Sequence, residues 1–161
     1  MFFLDGKFRK KTMAEIWKIE DPSEFICALI PYIVDKCDAG DEMDKLSAPE
    51  RAFYVALLLM GEVDNGGFSQ FFFNYSGDCA NEVVAAFTEI GAIPVAEICK
   101  KAVSVYGDSV PADRAERESL LVENDEVDNI LEECDNAFYA YGDKLEEQVF
   151  QYVLKNKAFF T

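Results

Sequence analysis

The chain is expected to fold as a single all-α domain, and three observations predict this. Apolar residues recur at three- and four-residue spacing. Nearly every Pro, Gly and Ser/Asp/Asn cluster sits where a helix would start or stop. Alternating polar and apolar runs joined by hairpin turns are missing. Half of the 161 residues are hydrophobic and 14% are aromatic, enough for one core and too much for a disordered acidic tail. Seven or eight helices are expected, with residues 1–19 as an N-terminal segment and 20–161 as the helical domain.

The elements follow in order. Asp21-Pro22-Ser23-Glu24 supplies an N-cap with Pro at the first helical position, and Phe25, Ile26, Leu29, Ile30 and Ile33 follow at helical spacing, with Pro31 as a kink point. An acidic loop from Asp35 to Asp44 leads to Ser47-Ala48-Pro49-Glu50, a capping box that opens a central apolar helix expected to stop near Gly61. Glu62 to Gly67 then reads as a turn. Phe68, Phe71, Phe72 and Tyr75 share one face of a short helix and Phe73 points the other way, so burial on two sides is expected. Asp78 or Asn81 caps the next helix, which Gly91 ends, and Pro94 starts another that Gly107 ends. Pro111 begins a segment to about Val122. Asn124 or Asp125 opens a helix to Tyr141 with Gly142 as its stop, and Asp143 starts the last helix, to about Lys157.

Composition removes many functions. The net charge is −16, with 31 acidic residues against 15 basic, which opposes direct binding to nucleic acid or anionic membranes and favours basic partners. There is no histidine, so Ser-His-Asp and Cys-His nucleophiles and the common zinc and non-haem iron ligand sets cannot be built. Five cysteines, none in a C-x-x-C pair, read as reduced thiols of a cytoplasmic protein. The start of the chain lacks the apolar region of a signal peptide, and the longest apolar run, Ala52 to Met60, is far short of the roughly 20 residues that span a bilayer.

The charge is also uneven. Asp108 to Glu147 holds 14 acidic and three basic residues, net −11, against net −5 for the rest. On the helix predicted over 125–141, Val127, Ile130, Leu131, Cys134, Phe138 and Tyr141 form one stripe, and Asp125, Asp128, Glu132 and Asp135 form a row roughly opposite it. Residues 118 to 143 contain no Lys or Arg to relieve the row at i+4. Four acids over about 15 Å of helix match about four phosphates of one DNA strand. These four, with Glu116, Glu118 and Glu123, are the candidate surface for a basic partner.

Other chemistry fits poorly. Ferritin-type dimetal sites need Glu-x-x-His. A glycosidase needs two opposed acids in a cleft, whereas a row opposite an apolar stripe faces solvent. The 35–46 loop fails as an EF-hand, because with Gly40 at the sixth position Cys37, Ala39 and Leu46 fall on ligand positions. Asn65-Gly66-Gly67 carries no phosphate-loop pattern and reads as a tight turn. No catalytic residue, metal or cofactor is expected. The alternative to acidic recognition is an interaction module that docks through the Phe-rich face, the acid serving solubility.

The stretch from Glu62 to Asp78 resembles the signature of a bacterial DNA-mimic protein family, roughly E-x-x-N-G-G-F-x-Q-F-F-x-N-x-S-G-D. It is met by Glu62, Asn65, Gly66, Gly67, Phe68, Gln70, Phe71, Phe72, Asn74, Ser76, Gly77 and Asp78. Asp64 and Tyr75 stand where Asn and Ser are expected. Further resemblance at Gly91-Ala92, Arg114 with Arg117, Phe138-Tyr139 and Tyr152 with Asn156 extends it over about residues 20–157. The resemblance implies an all-helical fold, a homodimer, and surface carboxylates that imitate DNA phosphates to occupy a DNA-binding protein. The signature residues themselves read as scaffold.

Overall fold

Capping and burial assemble the chain. The computed structural model describes residues 10–122, 124–142 and 144–161, so the partner-binding candidate Glu123 and the expected cap Asp143 lie outside the described residues. Among the described residues there are eight α-helices and short 3-10 turns, and no strand; the fold is all-α, as expected.

Helix α1 (Met13–Ile16) is opened by a Thr12–Glu15 capping box. Helix α2 (Pro22–Lys36) starts on the Asp21 cap and runs through Pro31. It buries Phe25, whose ring meets Phe150 edge-on at 4.9 Å. Helix α3 (Ala48–Phe73) opens on the Ser47–Glu50 capping box. Glu50 is fully buried, and both of its oxygens take the Lys36 ammonium, at 2.8 and 2.9 Å. Ala52, Phe53, Val55, Ala56, Leu59 and Val63 of α3 are all buried, and α3 packs against α2, α4, α6, α7 and α8. Helices α4 (Val83–Ile90), α5 (Ile93–Val103), α6 (Arg114–Leu121), α7 (Asp125–Tyr141) and α8 (Lys144–Lys155) complete the fold, with Gly91 and Gly142 following α4 and α7 as read from the sequence.

Three expectations are corrected. Gly61 does not stop the central helix, and Glu62 to Asn65 are not a turn: the helix runs through them and breaks only at Gly66 (φ −165°) and Gly67 (φ 77°, ψ −177°). A single helical glycine costs about 1 kcal/mol, which this heavily buried helix absorbs. The segment after the break is not buried on two sides. Phe68, Phe71 and Phe72 are inside, but Phe73 is 45% and Tyr75 77% exposed, because the helix ends at Phe73 and Tyr75 belongs to the 3-10 turn Tyr75–Glu82. Neither Asp78 nor Asn81 caps α4, whose N-terminus has no side-chain cap. Asp78 pairs with Arg117, and the Asn81 amide exchanges two hydrogen bonds of 2.9 Å with the Val110 backbone.

Candidate functional site

The acidic row lies on α7, where its members have different surroundings. Asp125, Asp128 and Glu132 are exposed, and among the described residues no cation lies within 4.0 Å of any of them. Glu116 on α6 is likewise exposed, with no ion pair among the described residues. Glu118 is held by Arg114 one turn earlier at 2.7 Å, and Glu133, beside the row, is paired with Lys101 of α5, which lowers its carboxyl below the usual range. The structure therefore brings Asp125, Asp128 and Glu132 together as one exposed line.

Asp135 is different. It is half-buried, and its Oδ1 accepts the Phe68 backbone N–H at 2.7 Å. Phe68 begins the helical segment after the Gly66–Gly67 break, where N–H groups lack helical acceptors, so α7 supplies the cap that the local sequence does not. One turn on, the Tyr139 hydroxyl donates to the Val63 carbonyl at 2.6 Å, on the near side of the break. Burial raises the Asp135 carboxyl above its ordinary value, the Phe68 hydrogen bond lowers it, and Glu132 raises it further. Gly67 permits the approach, since a Cβ there would sit 2.3 Å from Asp135 Oδ2.

Across the same break, the Glu62 carboxylate collects three neutral donors. Its Oε2 accepts from the side-chain amides of Gln70 at 2.7 Å and Asn74 at 2.8 Å, and its Oε1 from the Ser76 hydroxyl at 2.9 Å. Arg117 closes the next turn. Fully buried, it donates to the carbonyls of Phe72, Pro111, Ala112 and Asn74 and to Asp78 Oδ1 at 2.8 Å. A Cβ at Gly77 would fall 2.8 Å from the Phe72 carbonyl oxygen and 2.9 Å from Arg117 Nε, so only glycine fits beside that guanidinium. The Glu62–Asp78 stretch is thus one bent, hydrogen-bonded unit with Phe68, Phe71 and Phe72 as its buried side; Asn65 is exposed and makes no side-chain hydrogen bond among the described residues.

A family model described as DMP19-like protein matches residues 44–156. The chain belongs to the DMP19-like protein family. The match takes in this bent unit, Arg117 and the whole acidic row, and begins after α2. No curated protein and no solved structure matches the chain. DMP19-like membership thus agrees with the resemblance read from Glu62 to Asp78. Among the described residues of this family member, no helix is long and apolar enough to cross a membrane. Nor does any group of three or more Cys, Asp or Glu side chains there have the arrangement to hold a metal ion.

Sequence reasoning did not assign Arg117 a role. An Arg in an acidic helix looks solvated, and the carbonyls that hold it, from segments 72–74 and 111–112, surround it only once the fold brings the two together.

Proposed function

We propose that this protein is a non-enzymatic binder of a basic, DNA-binding protein, to which α7 presents carboxylates in place of DNA phosphates. The observation that carries this reading is the exposed line Asp125, Asp128 and Glu132, with no countering cation among the described residues. Like charges one turn apart cost a helix a few tenths of a kcal/mol per pair, and a basic partner would turn that cost into attraction. The three acids cover about 10 Å of helix, over which one DNA strand presents about three phosphates. Membership of the DMP19-like family is compatible with such a role. On this reading Glu116 and Glu123 extend the surface, Glu118 joins it once Arg114 swings away, and Asp135 anchors α7 behind it. The protein acts as a cytoplasmic homodimer.

A second reading is favoured by Phe73 and Tyr75, exposed on either side of Arg114, whose guanidinium lies 5.0 Å from each ring. In it this aromatic face docks the partner and the acid serves solubility.

The test is capture of partners from host lysate by wild type and by a triple variant, Asp125→Asn, Asp128→Asn and Glu132→Gln. Capture of a DNA-binding protein that the variant loses, that salt weakens and that duplex DNA displaces supports mimicry. Capture indifferent to the variant and to salt overturns it in favour of the aromatic face.

A further inference from the structure

Away from α7, on the side of α3 where Glu62 emerges, an open cleft of about 910 Å³ lies between the 38–41 turn and the Tyr75–Glu82 turn. That volume is in the range of sites that hold small ligands or short peptide segments, about 300–1,000 Å³. Its wall includes Asp41, Tyr54, Leu58, Glu62, Tyr75 and Asp78, and among the described residues no Lys or Arg lines it.

Four features give the cleft a chemical preference. Glu62 is held in place by three neutral donors, so its position is fixed while its charge is not countered. Asp41 is exposed and has no ion pair among the described residues. Tyr54 is 5% exposed, yet its hydroxyl has no oxygen or nitrogen hydrogen-bond partner among the described residues. Its side-chain hydrogen bond is to the Cys37 thiol, a weak acceptor, so the hydroxyl oxygen keeps its lone pairs for a donor that enters the cleft. The 77% exposed Tyr75 ring and Leu58 supply apolar surface beside these oxygens. Burial pushes the Tyr54 hydroxyl up to about 12 and the Cys79 thiol up to about 11, and among the smaller causes Asp41 acts on the first and Asp78 on the second in the same direction.

The geometry points to a second binding site, a cleft that takes a basic segment of a partner protein, with one Arg or Lys side chain laid along Leu58 and Tyr75 and its cationic head between Glu62, Asp41 and the Tyr54 hydroxyl. A cation there gains a fixed carboxylate and a hydroxyl oxygen that can accept its N–H, and its aliphatic stem gains apolar contact. Anions are repelled, and a neutral side chain of the same shape forfeits the charge-assisted bonds. The site uses none of the α7 row and does not depend on the function proposed for it.

The test is an amide-detected NMR titration of the full chain with a blocked Gly-Arg-Gly peptide, a blocked Gly-Gln-Gly peptide, and spermidine. The expected result is that the Arg peptide shifts amides at 38–41, 54–62 and 75–79, and that the Gln peptide does not. Asp41→Asn and Tyr54→Phe should each weaken the Arg peptide by about tenfold, as for a lost hydrogen bond to a charged group, and the triple α7 variant should leave it unchanged. Because Asp41 is exposed, its variant reads the site even if Tyr54→Phe disturbs the core. The proposal is overturned if the peptide shifts α7 instead, if neither variant weakens it, if nothing binds at millimolar peptide, or if spermidine binds more tightly than the peptide, which would make this a site for free amines.

Discussion

The carboxylate of Asp135 on α7 caps the Phe68 amide at 2.7 Å, and Gly67 between them leaves no room for a Cβ. A residue that sequence places in a solvent-facing acidic row is thus a helix cap for another element. Removing the acceptor with Asp135→Ala should cost about 0.5–2 kcal/mol, the usual worth of an N-cap. Asp135→Asn keeps an acceptor and should cost less. Urea melts of the two variants check this, and equal losses would mean that the cap contributes nothing.

The same carboxylate sets a pH dependence. Burial raises the folded-state pKa of Asp135 above its unfolded value, so the folded state holds this proton more tightly. The stability it adds is complete below the unfolded pKa, about 3.9, and is lost as pH rises through the folded one. Wild type should therefore lose stability relative to Asp135→Asn as pH climbs from about 3.5 towards neutrality. Paired urea melts across that range measure the difference, and a wild-type advantage over the variant that stays constant or grows with rising pH refutes the assignment.

At the break the two glycines should differ. Gly67 combines φ 77° and ψ −177°, a region essentially closed to other residues, with the Asp135 collision. Gly67→Ala should cost about 1–3 kcal/mol from backbone strain alone, and more once the cap is pushed away. A Cβ at Gly66 meets the end of the Gln70 side chain, 2.2 Å from its Oε1. That amide can swing aside, so Gly66→Ala should lose little beyond the Gln70–Glu62 bond, about 1 kcal/mol. Thermal melts of the two variants decide, and equal costs would show that the collision with Asp135 is relieved without loss.

Helix existence, most caps and the burial of Phe68, Phe71 and Phe72 were legible in the sequence because they rest on local spacing. What was not legible came from contacts between elements. The helix was expected to stop at Gly61, yet burial of Leu59 and Val63 on either side carries it on. Asp135 stands one turn after buried Leu131, about 40° away at 100° per residue, which was the one available sign that it would lie at the edge of the packed face. Tyr54 and Asp41 are 13 residues apart in the chain and share the cleft only because the 38–41 turn folds back over α3.

Arg117 makes the strongest stability prediction. Its guanidinium satisfies four backbone carbonyls and Asp78 while fully buried. Arg117→Met leaves those carbonyls unpaired and should cost about 3–5 kcal/mol, and Arg117→Lys should rescue little, since three donors on a point charge cannot replace five in a planar fork. Asp78 is mostly exposed, so Asp78→Asn should cost about 1 kcal/mol or less. Denaturant melts of all three test the ranking, and rescue by Lys would show that charge and not geometry is what this site requires.

The exposed α7 acids should show the opposite sign. Asp128 and Glu132 are one turn apart with no cation among the described residues near either, so neutralising Glu132 relieves a repulsion of about 0.2–0.5 kcal/mol. Glu132→Gln, which leaves Asp128 in the first turn where the helix dipole favours it, should therefore raise the melting temperature slightly at low salt, and the gain should shrink as salt screens the pair in the wild type. Scanning calorimetry at two salt concentrations measures both. A lower melting temperature in the variant would place this carboxylate in the protein's own stabilising network and remove the reason for reading the row as a surface kept for a partner.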